Sequence, residues 1–315
     1  MEGRNETLTP DFILMGLLPS MKCVTFLICA IILIYFAAVP GNFILPLLIW
    51  MDLRLHIPVY FLLSQLSLVD LALISSTVPK IAINFFSGAK NITHFACGTQ
   101  IFFFFTLGGA ECILLTFMAC DHYVTVCNPL RYTVIMNQGV YLQMGIVSWI
   151  GGILAPIAHT SYTMSLPICG SREIHHFYCE MPAIMKISCK DTSSHELVVF
   201  VMGIVFIIIL FGLIMASCTL IFLTVLHMNS PQGRNKALAT CSSHLTVVSF
   251  YLGPCVYMYM TPGSSHTPEQ EQAVSAFCTV LTPMLNPLIY SLRNKDVAGA
   301  LQKALGKHSV SKEDA

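Results

Sequence analysis

Two carboxylic acids interrupt the long apolar stretches of this chain. Asp70 lies within the run Val59–Phe86, and Glu111 lies within the run Ile101–Cys127. With a rise of about 1.5 Å per helical residue, each would sit about 15–18 Å from one end of its helix, near mid-membrane. Ionisable groups are costly at that depth, so a functional role is the first hypothesis for both.

Two amides are expected at a similar depth in the membrane to Asp70 and Glu111. The four groups together form a predicted polar layer. Asn42 lies about 15 Å from the end of the first apolar run, and Asn286 lies about 10 Å from the end of the last one. Carboxylates and amides without basic partners must share protons, hold water or bind a cation, because an unpaired buried charge costs too much. A static hydrogen-bonded network that fixes helix packing is the alternative, and the sequence leaves both open.

Cysteine chemistry concentrates in one loop. The chain has thirteen cysteines, and the segment 167–196 holds three of them close to His175 and His176. With a fourth at the start of the third apolar run, the oxidisable set is Cys97, Cys169, Cys179 and Cys189. Four cysteines allow three connectivities, which the sequence does not separate. A zinc site with the two histidines is a further option.

Two potential glycosylation sites indicate how the chain is oriented in the membrane. Asn5 and Asn91 both stand in Asn-x-Thr glycosylation motifs, and both fall on the same side as the cysteine-rich loop. Glycosylation and disulfide formation occur on the luminal side. We therefore expect an extracellular amino terminus and a cytoplasmic carboxyl terminus. We also expect no cleaved signal peptide before Met21, so that the first span acts as a signal anchor.

Seven apolar runs must position these groups. Hydrophobic residues make up 55% of the chain and charged residues 10%, against about 25% charged in soluble domains. Each run approaches or exceeds the roughly 20 residues that a membrane-spanning helix needs. The runs are Cys23–Trp50, Val59–Phe86, Ile101–Cys127, Tyr141–Met164, Leu197–Leu226, Leu238–Met260 and Ala273–Leu292. The pattern predicts an all-α membrane protein, a bundle of seven transmembrane helices.

Three regions follow from these spans. Residues 1–22 are an extracellular tail, residues 23–292 the seven-helix domain, and residues 293–315 a cytoplasmic segment. In the last region, Asn294–Leu305 places apolar side chains on one helical face opposite lysines, which is typical of a helix at the membrane surface.

Several motifs resemble those of one family. The segment MACDHYVTVCNPLRY, Met118–Tyr132, is similar to the inner end of the third helix in vertebrate olfactory receptors, a branch of the rhodopsin-like G-protein-coupled receptors. Further segments that match that family are Gly41–Asn42, Pro58–Ser64, Leu68–Asp70, Ser148–Trp149, Lys236–His244 and Pro283–Tyr290. The set covers almost the whole chain and resembles the large tetrapod class, near family 2.

The resemblance implies a receptor for small volatile odorants that signals through a stimulatory, olfactory-type G protein to cyclic AMP. It implies a multi-pass protein of the plasma membrane whose partners are odorant, G protein and membrane lipid, with no nucleic acid. It implies disulfides Cys97–Cys179 and Cys169–Cys189. No cofactor is expected other than a sodium ion at Asp70 and Glu111, since related receptors bind sodium in this layer.

An apolar, aromatic pocket is expected above the polar layer. The candidate residues share helical faces in the third, fifth and sixth spans, with one histidine from the fourth. They are Phe104, Phe105, Gly108, Gly109, His159, Gly203, Phe206, Ile207, Tyr251, Cys255 and Tyr259. For any one of them, packing against the core or lipid is the alternative to ligand contact. The resemblance carries Tyr251 over as the bottom of the pocket.

The inner face carries the residues expected to contact the G protein: Asp121, His122, Tyr123, Arg234 and Lys236. His122 departs from the family, which nearly always has arginine there. Histidine reaches less far, and its ordinary pKa near 6.5 leaves it largely neutral in the cytosol. We expect poor coupling, with raised basal activity as the other outcome.

The sequence also bears on two other classes of function, an enzyme and a channel or transporter. The bundle contains no pairing of nucleophile and base and no metal-ligand set at useful spacing, so we expect no enzyme. A channel or transporter is the alternative to a receptor. It would require repeated halves or several charged residues along one aqueous path, whereas only Asp70 and Glu111 are placed at mid-membrane.

Overall fold

Helices dominate the fold. The computed structural model describes residues 12–18, 22–228, 230–260, 267–293 and 295–304. Its long helices are α1 (Val24–Met51), α2 (Pro58–Ser87), α3 (His94–Cys127), α5 (Gln138–Met164), α7 (Ser193–Leu226) and α8 (Pro231–Met260). Its shorter helices are α4 (Tyr132–Ile135), α6 (Met181–Lys186), α9 (Pro268–Ala276), α10 (Thr282–Arg293) and α11 (Lys295–Ala304). Single 3₁₀ turns occupy Leu53–Leu55 and Pro129–Arg131.

Local sequence explains where the helices begin and end. Pro58 starts α2, where its fixed φ suits a first turn and its missing N–H costs nothing. Gly88 ends α2 with φ of +67°, a conformation that favours glycine. The side chain of Thr93 caps α3 by accepting a hydrogen bond from the Ala96 N–H at 3.2 Å.

The predicted spans agree with the helices in number and position. Within the described residues, six helical segments are long and apolar enough to cross a membrane. The remaining span lies in α8, a 30-residue helix that is more polar because the segment Lys236–His244 contributes basic, hydroxyl and imidazole groups. Large apolar side chains on α1 face outward, with Phe26 79% and Leu33 70% exposed, as expected for contact with lipid. The structure thus forms the predicted seven-helix bundle.

The third helix runs through the centre of the bundle. It packs against α2, α5, α7 and α8. Its crossing with α5 is so close that a Cβ atom added to Gly152 would lie 2.6 Å from the Thr106 carbonyl oxygen. Gly109 lies at the same crossing, where an added Cβ would be 3.3 Å from the Gly152 Cα. The two glycines therefore set the distance between α3 and α5.

The seventh span is not one regular helix. A π-helical turn over Phe277–Leu281 separates α9 from α10. Such turns add a residue to the helix and recur at functional sites. This one precedes the segment that carries Pro283 and Asn286, and it changes the direction in which the rest of the span faces.

A small sheet at one end of the bundle was not predicted. Strands β1 (Phe12–Leu14), β2 (Asn91–Ile92) and β3 (Glu173–Ile174) pair in the order β2-β1-β3. Strand β1 is antiparallel to β2 and parallel to β3. Phe12 and Leu14 are fully buried. Part of the predicted tail, residues 1–22, is therefore packed against the bundle, because its alternate apolar side chains fill the space under the sheet.

The last helix packs against the opposite end of the bundle. Val297 and Ala300 of α11 are buried in the main core. The Tyr60 hydroxyl of α2 donates a hydrogen bond to Asp296 Oδ2 at 3.2 Å. The helix agrees with the predicted amphipathic segment, and residues 305–315 lie outside the described part of the chain.

Candidate functional site

The polar layer is built from three helices. Asn286 of α10 donates from Nδ2 toward both carboxylate oxygens of Asp70, at 3.1 and 3.0 Å, and toward Glu111 Oε1 at 3.1 Å. All three side chains are almost completely buried. An amide carries two N–H hydrogens, so three such contacts cannot all be full hydrogen bonds.

The charges of this layer are not balanced. Asp70 and Glu111 share a neutral amide, and Glu111 Oε2 has no hydrogen-bond partner among the described residues. Two carboxylates cannot both be ionised in so dry a site without a compensating charge. The layer therefore needs a proton or a cation.

Asn42 takes a different place from the one that was predicted. Its Nδ2 donates to the carbonyl oxygens of Ala38 at 3.1 Å and Pro283 at 2.6 Å. It thus fastens α1 to the seventh span at the backbone. The Pro283 carbonyl is free to accept because Pro287, four residues later in α10, has no N–H to donate.

The loop between α5 and α7 is held by two disulfides. Cys97 at the start of α3 is bonded to Cys179, and Cys169 is bonded to Cys189. These are the pairs that the resemblance implies. All four sulfurs are used, which removes the thiolates that a loop zinc site would need. In the part of the chain that the structure describes, no three His, Cys, Asp or Glu side chains gather as a metal site.

The loop descends into the bundle after its disulfide anchor. Phe177 and Tyr178 are buried, and the Tyr178 ring lies 5.3 Å from the Phe104 ring of α3. Phe105 is half-buried in the separate cluster that includes Cys97 and Cys179. The loop therefore covers the outer end of the predicted pocket.

Hydrogen bonds tie this loop to the seventh span. Ser275 of α9 donates to Glu180 Oε1 at 2.9 Å, and Gln272 donates to the His175 carbonyl oxygen at 2.9 Å. Gln272 also accepts from the Leu18 N–H at 2.6 Å, which brings in the amino-terminal segment. Sequence reasoning missed Gln272 and Ser275, because their partners lie about a hundred residues or more away and leave no local pattern.

His176 lies within this network. Its Nδ1 accepts from the Tyr178 N–H at 3.4 Å, and its Nε2 lies 3.1 Å from Glu180 Oε1. Burial lowers the pKa of the imidazole below 6.5, and the Glu180 carboxylate opposes this with a smaller effect. The ring is therefore neutral at physiological pH.

Two of the predicted ligand residues contact each other directly. The Tyr251 hydroxyl of α8 donates to the Gly108 carbonyl oxygen of α3 at 2.7 Å. A Cβ atom added to Gly108 would lie 3.2 Å from that hydroxyl oxygen. Tyr251 also belongs to the main core together with Leu107 and Leu210, and Phe104 packs against that core. This contact joins α3 to α8 in the middle of the predicted pocket.

The other predicted ligand residues are more scattered. Ile207 is buried, Phe206 is 36% exposed, and Gly203 and Cys255 are half-buried. Gly109 lies at the α3–α5 crossing described above, where it serves close packing.

The predicted ligand-binding residues also include a histidine of α5 and a tyrosine of α8. His159 is half-buried on α5, and its ring lies 5.3 Å from the ring of His195 on α7. The side chain of Tyr259 lies outside the described residues.

The inner end joins three sequence motifs. Asp121 Oδ1 accepts a hydrogen bond from the Tyr132 hydroxyl at 2.9 Å. His122 is buried against His244 with ring centroids 5.3 Å apart, and His244 Nδ1 lies 3.1 Å from the Tyr290 hydroxyl. The sequence motifs contain Tyr132, His244 and Tyr290, but their spacing does not show that these side chains meet Asp121 and His122, because the contacts join different helices.

The remaining inner residues lie at the ends of α3 and α8. Tyr123 packs against the cluster of Ile221, Val225 and Ala237. Arg234 is exposed near the start of α8. The side chain of Lys236 lies outside the described part.

The fold and the site define a class: a seven-helix membrane protein with a disulfide-anchored loop between α5 and α7 and a buried polar layer. The sequence profile of the family described as olfactory receptor matches residues 29–308. Human olfactory receptor 2M2 is 49% identical over 313 residues, which cover 99% of this chain and 90% of the relative. Human olfactory receptor 2T2 is 50% identical over 307 residues, or 98% and 94% of the two chains. The chain therefore belongs to the olfactory receptor family.

Family membership answers several questions. Olfactory receptors are G-protein-coupled receptors that receive odorants, so the receptor prediction is confirmed over the channel or transporter alternative. The prediction of a member near family 2 is confirmed by the same relatives. The protein is not an enzyme, because its family consists of receptors. It is a multi-pass membrane protein.

Proposed function

We propose that this receptor binds small, largely uncharged volatile molecules between α3, α7 and α8, and signals through a stimulatory G protein to cyclic AMP. The observation that carries the proposal is the hydrogen bond from Tyr251 to the Gly108 carbonyl. It joins the third span directly to the sixth, one helical turn along α3 from Phe104, whose ring contacts the loop residue Tyr178. A ligand wedged between these helices changes the distance that this bond sets.

The chemistry of the proposed pocket favours apolar ligands. Phe104, Tyr178, Ile207 and Tyr251 contribute aromatic and aliphatic surface, and the phenol of Tyr251 is the main hydrogen-bonding group. Pockets of this kind hold ligands by shape and dispersion, with a few polar groups that fix orientation. An odorant that accepts a hydrogen bond competes with the Gly108 carbonyl for the phenol.

The proposed orientation places the amino terminus outside the cell, at the plasma membrane. Asn91 is exposed in β2, at the same end of the bundle as both disulfides. Asn5 lies outside the described residues. Residues 1–22, 23–292 and 293–315 are then the outer segment, the receptor domain and the cytoplasmic segment.

Sodium is the proposed cation of the polar layer. Asp70, Glu111 and Asn286 supply oxygen atoms, the ligand type that hard cations prefer. The unpartnered Glu111 Oε2 is a further oxygen for an ion. Sodium would then stabilise the arrangement in which α10 is held against α2 and α3. Proton sharing between the carboxyl groups is the competing account.

At the inner face, Asp121, His122, Tyr123, Arg234 and Lys236 form the proposed contact with the G protein. His122 is turned against His244 inside the bundle. Its side chain is too short to leave that position and reach a partner. This observation favours weak coupling over raised basal activity.

The test is an odorant screen with cyclic AMP readout in cells that express the receptor. We expect a subset of small neutral odorants to raise cyclic AMP, and Gly108→Leu to abolish those responses at equal surface density. Gly212→Leu is the matched control, because nothing lies within 4 Å of a Cβ added to Gly212. An odorant-stimulated rise in calcium with no rise in cyclic AMP would refute the proposal of a stimulatory G protein.

A further inference from the structure

Two histidines from different helices lie against each other at the end of the bundle that carries the disulfides. His159 stands five residues before the end of α5, and His195 is the third residue of α7. Their ring centroids are 5.3 Å apart, with an angle of 64° between the ring planes. The His195 ring also stacks on Tyr162, with 3.9 Å between the centroids. The pair is therefore a direct side-chain contact between the fourth and fifth spans.

None of the four ring nitrogens has a hydrogen-bond partner among the described residues. His159 Nδ1 and His195 Nε2 are buried without one. The other two nitrogens, His159 Nε2 and His195 Nδ1, are not buried, so an ion from solution can reach them. Polar groups inside a protein are nearly always paired, and each exception calls for an explanation. Two facing imidazoles without partners are such an exception.

A divalent transition-metal ion fits two imidazoles at this separation. With zinc–nitrogen bonds of about 2.0 Å, two imidazoles on one tetrahedral ion have ring centroids about 5 Å apart. The observed separation of 5.3 Å is close to this value. Imidazole suits zinc, whereas calcium and magnesium prefer oxygen ligands. No third His, Cys, Asp or Glu of the described residues joins the pair, so water completes the coordination and binding is weaker than at a structural zinc site.

We propose that His159 Nε2 and His195 Nδ1 bind a zinc ion that bridges α5 and α7. The site is distinct from the cysteines of the loop, which are all used in disulfides. It lies on different helices from the contact between Tyr251 and Gly108, and it does not depend on the odorant proposal. The exposed Glu196 offsets the charge of Lys190, which lies over the Tyr162 ring.

The first measurement locates the ion in the native protein. Purified full-length receptor in nanodiscs is treated with diethyl pyrocarbonate, which modifies accessible imidazole nitrogens, and the modified peptides are mapped by mass spectrometry. We expect micromolar zinc to protect both His159 and His195. His175, an exposed histidine in the loop between α5 and α7, should stay reactive. Magnesium at the same concentration should protect none of the three.

Two variants separate metal binding from packing. His159→Phe and His195→Phe keep an aromatic ring at the contact but remove the ligand nitrogens. Zinc that binds the folded receptor raises its thermal unfolding midpoint, which tryptophan fluorescence follows. Each variant should raise the zinc concentration that gives half of this shift about tenfold or more. The double variant should lose no more than the weaker single one, because both rings hold the same ion.

The matched control is His175→Ala. This variant should bind zinc as the native receptor does. The hydrogen bond that His175 accepts from Gln272 uses the backbone carbonyl, so the substitution keeps it.

Two results would overturn the proposal. One is equal zinc protection of His159, His195 and His175, or no protection of the pair, which would show adventitious binding to exposed imidazoles only. The other is an unchanged zinc-dependent shift in the double variant, which would place the ion elsewhere. If a phenylalanine variant does not fold, the protection pattern in the native receptor decides.

Discussion

The imidazole rings of His122 and His244 lie edge to face, with their centroids 5.3 Å apart. His122 belongs to α3 and His244 to α8, so this contact closes the inner end of the bundle between the third and sixth spans. His244 continues the chain of contacts to Tyr290 of the seventh span. The helices α3, α8 and α10 are thus linked through two histidines and a tyrosine.

The first prediction concerns His122. We expect His122→Arg to raise odorant-stimulated cyclic AMP at matched surface density. The longer, permanently charged side chain can leave the position beside His244 and reach a partner. Basal and stimulated cyclic AMP are both measured.

The matched control for that substitution is His227→Arg. His227 is exposed at the end of α7, so this variant adds the same charge without entering the bundle. Identical basal and stimulated signals in His122→Arg and the native receptor would show that coupling does not depend on this side chain.

The second prediction concerns the disulfides. Cys97→Ser or Cys179→Ser should abolish surface display, because the bond closes a sequence separation of 82 residues. By the chain-entropy relation, losing it costs about 4.5 kcal/mol, against about 3.3 kcal/mol for the Cys169–Cys189 bond, which closes 20. Surface staining of intact cells measures the effect. Cys23→Ser, at an exposed free cysteine, is the control. Normal display of both variants would contradict the prediction.

The third prediction concerns the contact between α3 and α8. Tyr251→Phe removes the hydrogen bond to the Gly108 carbonyl, a loss of about 1 kcal/mol. We expect higher basal activity, because the bond holds the helices together in the structure, and a weaker response to odorants that accept a hydrogen bond. Dose-response curves at equal surface level measure both effects. Unaltered basal activity and potency would exclude a role for the phenol.

The fourth prediction concerns pH. Burial lowers the pKa of His176, the nearby carboxylates of Glu180 and Glu271 raise it by less, and Lys186 lowers it slightly. The docked loop therefore prefers the neutral ring. Its stabilisation is complete above the ordinary pKa near 6.5 and is lost as the pH falls below that value.

The measurement for that prediction is the odorant response at extracellular pH 7.4 and at about pH 5.5. The native receptor should respond more weakly at the lower pH. His176→Gln should show a flatter profile, because glutamine keeps a donor and an acceptor but does not titrate. The same decline in both proteins would mean that another group senses the proton.

The fifth prediction concerns the polar layer. If sodium neutralises Asp70 and Glu111, replacing sodium with choline at constant ionic strength should change odorant potency. Asp70→Asn should remove that dependence, because it deletes one carboxylate from the site. Potency that is insensitive to sodium in the native receptor would favour proton sharing between the two carboxyl groups.

Sequence reasoning succeeded where the physical signal is local. The long apolar runs fix the helices, since a chain in lipid must satisfy its backbone hydrogen bonds within each span. The boundaries differ mainly at the amino ends of α3 and α8. There the helices begin at His94 and Pro231, several residues before the apolar runs, because polar turns extend them beyond the membrane core.

Sequence reasoning succeeded less well where side chains from distant segments meet. The polar layer was predicted as four groups, yet Asn42 bonds to the Pro283 carbonyl while Asn286 contacts both acids. Helical spacing gives the depth of a residue in the bundle. It does not give the rotation of a helix after a π-helical turn, and that rotation decides which carbonyl or carboxyl group an amide meets.

The sequence by itself therefore determined the membrane class, the seven spans and, through its motifs, the receptor family. Only the tertiary structure showed that β1 packs under the loop between α5 and α7, that Gln272 joins that loop to the amino-terminal segment, and that His159 lies against His195. The reason is physical. Periodicity and hydropathy are properties of neighbouring residues, whereas a contact such as Gln272 with Leu18 joins groups 254 residues apart, and its geometry is set by the packing of the whole bundle.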